Sequence, residues 1–207
     1  MLITFEGPDG SGKTTQLALL ADYLGKQGYL LFHVREPGGT SIGEQVRSVL
    51  HSMENQEMNP RAEVLLFSAS RAQLVEQAIH PALEEGKIVL CDRFYDSTFA
   101  YQGYGRGLDL EALRQLTQFA TGGLRPDLTI YIESSPEEGL RRRRQDKSSE
   151  WNRLDDLPTD FHQRVHDGYQ CLIAAEPDRW VVIDGERAVD AVQADVRAAV
   201  MARLPQP

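Results

Sequence analysis

Gly7-Pro8-Asp9-Gly10-Ser11-Gly12-Lys13-Thr14 stands between an apolar run, Leu2-Ile3-Thr4-Phe5-Glu6, and a segment in which Leu17, Leu20, Ala21 and Leu24 recur at i, i+3, i+4 and i+7. The run is short and apolar, as a buried strand is; the segment is one helix face, closed by Gly28. The octapeptide between them fits G-x-x-x-x-G-K-[ST]. Its glycines let the backbone curl so that successive N–H groups point at one phosphate, and the helix starting at Lys13 adds the positive end of its dipole. Lys13 brings a mobile charge to the β- and γ-phosphates, and Thr14 a hydroxyl for Mg²⁺. The strand–loop–helix setting is the one this chemistry requires, so Gly7, Pro8, Asp9, Gly10, Ser11, Gly12, Lys13 and Thr14 are expected to hold a nucleoside triphosphate.

Working outward, apolar runs alternate with helical patterns to the end of the chain. Residues 30–34, 88–91, 128–132 and 180–184 read as further strands, and 41–50, 60–79, 110–121, 135–145 and 160–175 as helices. Pro60 opens one helix, Gly122-Gly123 stops another, and Val189, Val192, Val196 and Val200 give the last an apolar stripe. This is the pattern of an α/β fold, a five-stranded parallel sheet flanked by helices on both faces. The 207 residues suit one domain, 1–207, and the polar stretch 141–156 reads as a mobile lid within it. Hydrophobic residues at 41% and charged residues at 26% are ordinary globular usage, which excludes disordered and fibrous classes. The 31 acidic against 22 basic side chains, a net charge of −9, argue against a nucleic-acid partner. No run approaches the roughly 18 apolar residues of a membrane span. Cys91 and Cys171 have apolar neighbours and read as two buried thiols in a reducing compartment. With no basic leader, a cytoplasmic, soluble protein is expected.

Glu6, Arg35, Asp92 and Arg93 all fall at the carboxyl ends of expected strands, the edge where open α/β sheets bind ligands. Phe67 and Arg71 are four apart on one helix face, a ring to stack on a base and a guanidinium to donate to a carbonyl. The stretch 90–102, Leu-Cys-Asp-Arg-Phe-Tyr-Asp-Ser-Thr-Phe-Ala-Tyr-Gln, starts in a strand and ends in a polar, aromatic helix start.

Together with Arg35-Glu36-Pro37-Gly38-Gly39-Thr40 and the phosphate loop, this stretch resembles the signature of the bacterial thymidylate kinases, and the resemblance runs from Ile3 to about Val196. It implies a P-loop nucleoside monophosphate kinase fold, transfer of the γ-phosphoryl group of ATP to dTMP with Mg²⁺, and a homodimer. By the same resemblance Asp9 lies on the sugar 3′-hydroxyl side of dTMP, Phe67 stacks on thymine, and Arg71 donates to its exocyclic oxygen. Arg93 grips the dTMP phosphate, and Asp92 joins Thr14 around Mg²⁺, directly or through water. Thr98, Tyr101 and Gln102 wall the thymine and deoxyribose, Arg35 and Pro37 form the turn over the acceptor, and Arg47 reaches toward its phosphate. The phosphate loop carries no arginine, so transition-state cations are expected from the lid: Arg141, Arg144 and Arg153, with Arg142 and Arg143 on a solvated face.

The sequence departs from the family pattern at Asn152-Arg153-Leu154-Asp155 and in a longer stretch 145–151. Ser70 replaces an acid and implies that Arg71 loses an orienting ion pair. The turn 184–187 is expected beside the ATP adenine. His162 and His166, at i, i+4, lack a third ligand for a metal. Three other functions stay open, one of them another nucleoside monophosphate kinase. A deoxynucleoside kinase would need a carboxylate base, for which Glu6 is the candidate. A nucleotide-binding switch of the guanine type would carry Asn-Lys-x-Asp, which the chain lacks.

Overall fold

In the computed structural model, which describes residues 1–146 and 151–204, the first strand β1 (Leu2–Glu6) lies at the centre of a five-stranded sheet. It pairs in parallel with β3 (Ile88–Asp92) on one side and β4 (Leu128–Glu133) on the other. Beyond these lie β2 (Leu31–Arg35) and β5 (Trp180–Asp184), also parallel, giving the order β2-β3-β1-β4-β5. The three inner strands are apolar almost throughout because helices cover both faces; β2 and β5, at the edges, carry exposed positions.

Alternation along each strand separates two cores. Ile3 and Phe5 of β1 meet Leu17, Leu20 and Leu24 of α1 (Lys13–Lys26) and Val192, Val196 and Val200 of α9 (Val189–Met201). Leu2, Val89 and Cys91 point to the other face. There they meet Val64 and Leu74 of α3 (Pro60–Leu74) and Leu113 of α6 (Leu110–Thr121). The helix α2 (Ser41–His51), capped by the Thr40 hydroxyl, packs on α3. A third cluster of rings, Tyr101, Tyr131, Phe161, Tyr169 and Trp180, packs α8 (Thr159–Ala175) against the end of the sheet.

Two helices differ from their expected form. The helix from Pro60 does not stop near residue 79: it widens into a π-helical stretch, Val75–Ile79, and resumes as α4 (His80–Glu84). Pro81 lacks an N–H and cannot extend a regular ladder, and the wider turn precedes it. The polar, aromatic stretch after β3 is a short α5 (Tyr95–Thr98) running into a π-helical segment, Phe99–Gly105. The expectation of two buried thiols is corrected. Cys91 is buried in β3, but Cys171 is exposed on α8, because its neighbour Leu172 is turned by ~100° around the helix toward the core. The helix α7 (Pro136–Gln145) is capped by Ser135 and carries the run of four arginines. Residues 147–150 of the expected lid lie outside the described residues. Among the described residues no helix is long and apolar enough to cross a membrane.

Candidate active site

The strand ends Glu6, Arg35 and Asp92 stand side by side because the register pairs Phe5 and Arg35 each with Asp92. The loops leaving this edge surround a cleft of about 910 Å³. Gly12, at φ 95°, turns the chain into α1, and Gly10, at φ 79°, lies so close to α7 that a Cβ would sit 2.0 Å from the Gly139 carbonyl oxygen. Lys13 bends back to donate to the Pro8 carbonyl at 3.1 Å and lies 3.7 Å from Asp9. Burial and Arg93 lower its pKa; Asp9, Asp92 and Glu6 oppose them. The Thr14 hydroxyl donates to Asp92 at 2.5 Å.

Arg93 has φ 69°, a left-handed conformation rare outside glycine, and it follows directly on β3. One Nη donates to Asp9 at 2.8 Å and to the Tyr101 hydroxyl at 3.2 Å. The other donates to Ser97 at 3.0 Å and to the Tyr169 hydroxyl at 3.3 Å. Tyr101 in turn donates to Asp9 at 2.9 Å. Burial works to raise the Asp9 pKa, but Arg93 and Lys13 outweigh it and hold the carboxyl well below the carboxylate range. Beneath this cluster lies Glu6, with no exposed surface. It accepts from the Phe94 N–H at 2.8 Å, from Ser97 Oγ at 2.6 Å and from the Tyr169 hydroxyl at 2.8 Å. Burial, reinforced by Asp96 and opposed by Arg93, pushes the Glu6 carboxyl up to about 7. Glu6 does not line the cleft, so it is badly placed to serve as a base there.

The other wall holds Pro37, Phe67, Arg71, Thr98, Tyr101 and Gln102. Phe67 is half-buried and faces the cleft from α3, one turn before Arg71. Ser70 gives Arg71 no ion pair, as expected of a hydroxyl in an acid's place, but Arg71 is not left without an orienting acid. Glu36 takes that part, accepting from Arg71 Nε at 2.8 Å and lying 2.7 Å from Nη2. Ser70 instead accepts from the Gly38 N–H at 3.1 Å. Arg71 Nη1 and Glu36 Oε1 remain buried without a partner among the described residues. Arg47 donates to the Pro37 carbonyl at 3.0 Å, and the exposed Arg35 pairs with Glu44 at 2.9 Å. His51, which sequence reasoning missed, also lines the cleft; burial and Arg47 push it down to about 4.

The lid arginines fall elsewhere than expected. Arg142 and Arg143 line the cleft. Arg141 is exposed and pairs with Glu138 at 2.6 Å, Arg144 lies 5.6 Å over the Trp151 ring, and Arg153 is buried 2.6 Å from Glu63. The phase of α7 explains the first two positions. Gly139 packs against the phosphate loop, a Cβ there falling 2.6 Å from the Asp9 carbonyl oxygen. The residues three and four further on, Arg142 and Arg143, therefore overlie the loop, while Arg141 and Arg144 point away. Arg142 also donates to the Gly185 carbonyl at 2.8 Å, and Arg143 pairs with Asp155 at 2.9 Å. The turn 184–187 packs behind the loop rather than lining this cleft: a Cβ on Gly185 would sit 2.9 Å from the Ser11 carbonyl oxygen.

Chemically, the cleft offers hard oxygen donors at Thr14 and Asp92, cations at Lys13, Arg93, Arg142 and Arg143, and an aromatic, polar wall. No group of three or more His, Cys, Asp or Glu side chains that could hold a metal by itself occurs among the described residues, the two histidines of α8 included. Thr14 and Asp92 fit Mg²⁺, which favours oxygen ligands and is usually completed by substrate phosphates and water.

The chain is similar to known proteins over nearly its whole length. The family model for thymidylate kinase matches residues 5–196. The chain is 48% identical to a thymidylate kinase of Roseiflexus castenholzii, covering 100% of this chain and 96% of that one. It is 43% identical to a thymidylate kinase of Bacillus pumilus, covering 99% and 96%. The crystal structure of a thymidylate kinase from Ehrlichia chaffeensis superposes with a TM-score of 0.80 at 35% identity, over 97% of this chain and 98% of that one.

Proposed function

The chain belongs to the thymidylate kinase family, an enzyme family, and from that premise we propose how its residues share the transfer of the γ-phosphoryl group of ATP to dTMP, which yields ADP and dTDP. One observation carries the acceptor assignment. Among the described residues Arg71 Nη1 is a buried donor without a partner, one helical turn from the half-buried Phe67. A buried donor calls for an acceptor. The exocyclic O4 of a thymine stacked on Phe67 supplies one, whereas cytosine or adenine would bring an amino group there, donor against donor.

Lys13 and the loop N–H groups hold the donor phosphates, and Arg93 clamps the acceptor phosphate. Asp9 and Tyr101 fix the direction of Arg93, Asp9 also faces the deoxyribose, and Thr98 and Gln102 close the wall around the base. Arg35, Pro37 and Arg47 cover the acceptor. Thr14 and Asp92 would hold Mg²⁺, which would neutralise charge on the donor phosphates. The attacking oxygen belongs to a phosphate already ionised, so no general base is needed, and positioning plus electrostatics carries the chemistry. Arg142 and Arg143 replace Arg141, Arg144 and Arg153 as the cations over the transferred group. A deoxynucleoside kinase finds no support at its candidate base Glu6, which does not line the cleft and whose oxygens already accept from Phe94, Ser97 and Tyr169.

We further infer a homodimer. Ile42 and Val49 on α2, Met53 just after it, Leu65 on α3 and Phe119 on α6 are exposed apolar side chains, and the three helices pack in sequence, α2 on α3 and α3 on α6. The two unpaired cysteines support a cytoplasmic location. An ADP-release assay with ATP, Mg²⁺ and either dTMP, dUMP, AMP or thymidine tests the function. Turnover is expected to be fastest with dTMP; turnover with dTMP no greater than without acceptor contradicts the proposal.

A further inference from the structure

Glu63 has no part in the division of labour above, yet three side chains from two distant stretches of the chain end on it. It lies in the first turn of α3 with no exposed surface. Gln102 of the cleft wall donates to it at 2.9 Å. Arg106, which closes the π-helical segment, donates to it at 2.9 and 3.3 Å and lies 5.2 Å over the Phe161 ring of α8. Arg153 reaches it at 2.6 Å. A buried carboxylate is tolerated only when charge and hydrogen bonds surround it, and this one has both. Burial works to raise its pKa, but the bonds from Arg106, Gln102 and Arg153 outweigh it and keep the group ionised.

Arg153 gives the cluster its reach. Its Nε donates to the Leu50 carbonyl at 3.2 Å, tying it to the end of α2 as well. Two residues on, Asp155 pairs with Arg143 of α7, the helix that packs on the phosphate loop. Between and beside these anchors Trp151, Asn152 and Leu154 line the cleft. The segment 151–155 is thus a strap from the acceptor wall to the donor side, and its root is the Arg153–Glu63 pair.

We propose that Glu63 is a positioning residue: its buried carboxylate sets Gln102 on the acceptor wall and Arg153 at the root of the strap in one arrangement, so acceptor fit and strap seating depend on the same group. The inference rests on the dTMP kinase reading and deepens it. Without the Glu63 charge, the Arg153 and Arg106 guanidiniums face each other without their shared counter-ion, and Gln102 loses its acceptor.

The test uses the full chain as wild type, Glu63→Gln, Arg153→Lys and the double variant, with kcat, KM for dTMP, KM for ATP and Tm measured for each. Lysine keeps the charge at 153 but cannot reach Glu63 and the Leu50 carbonyl together, so it probes geometry. For Glu63→Gln the KM for dTMP is expected to rise by about tenfold, with the KM for ATP within about twofold and a lower kcat. Arg153→Lys is expected to move the same constants in the same direction by about threefold, and the double variant to be no worse than Glu63→Gln alone. Folded variants whose KM for dTMP stays at the wild-type value, whatever their Tm, or a double variant whose effects simply multiply, would overturn the inference. Should Glu63→Gln not fold, Arg153→Lys decides alone, by the same shift in KM for dTMP or its absence. A wild-type enzyme that does not phosphorylate dTMP sinks the underlying reading; one that does, with unchanged variants, sinks only this inference.

Discussion

At the scale of single residues, the site works because buried charges are held by neighbours that sequence spacing does not reveal. Phe67 and Arg71 were legible as a pair, since four residues on a helix bring them to one face. Their setting was not. Glu36, which orients Arg71, lies 35 positions away, and Tyr169, which bonds Glu6, lies 163 away. Only the closing of the sheet edge brings them together. Glu6 yields a prediction at this scale. Its carboxyl is raised from 4.5 to about 7 in the folded chain. A proton is therefore held in the folded state that the unfolded state releases, and the stability this group contributes is present below about 4.5 and drains away as pH rises through about 7. Gln at this position cannot titrate. The difference in Tm between Glu6→Gln and wild type should thus shift in favour of the variant from about pH 5 to about pH 8. A shift against the variant over that range, the sign of a depressed carboxyl, would refute the assignment.

At the scale of elements, the alternation of strands and helices was readable because each inner strand is buried on both faces and each long helix carries an apolar stripe. The π-helical stretches Val75–Ile79 and Phe99–Gly105 were not, because a locally wider turn leaves no period in so few residues. The face on which each of the four consecutive arginines of α7 stands was not legible for a related reason. A run of identical charges marks no face, and the helix phase is set by Gly139 against the phosphate loop, a contact seen only in three dimensions. Arg143→Met is therefore expected to lower kcat by about a hundredfold and Arg144→Met by less than about threefold, magnitudes typical of losing, or keeping, a cation at developing charge. Steady-state kinetics on the two variants checks this, and the reverse ranking would mean that α7 presents its other face to the phosphates.

At the scale of the whole molecule, the net charge of −9 coexists with a cleft where Lys13, Arg47, Arg71, Arg93, Arg142 and Arg143 converge. The site depends on the local field, which the sum hides. The exposed apolar side chains of α2, α3 and α6 carry the dimer prediction. Phe119 is 86% exposed, an unusual placement for so large a ring. Phe119→Asp is expected to shift sedimentation from the dimer to the monomer; a wild-type chain that sediments as a monomer at micromolar concentration would contradict the dimer. The central claim concerns where one phosphorus atom goes. With ATP labelled in its γ-phosphoryl group, Mg²⁺ and dTMP, the label is predicted to appear as the β-phosphoryl of dTDP in step with ADP; label released only as inorganic phosphate, or left on ATP, would contradict the account.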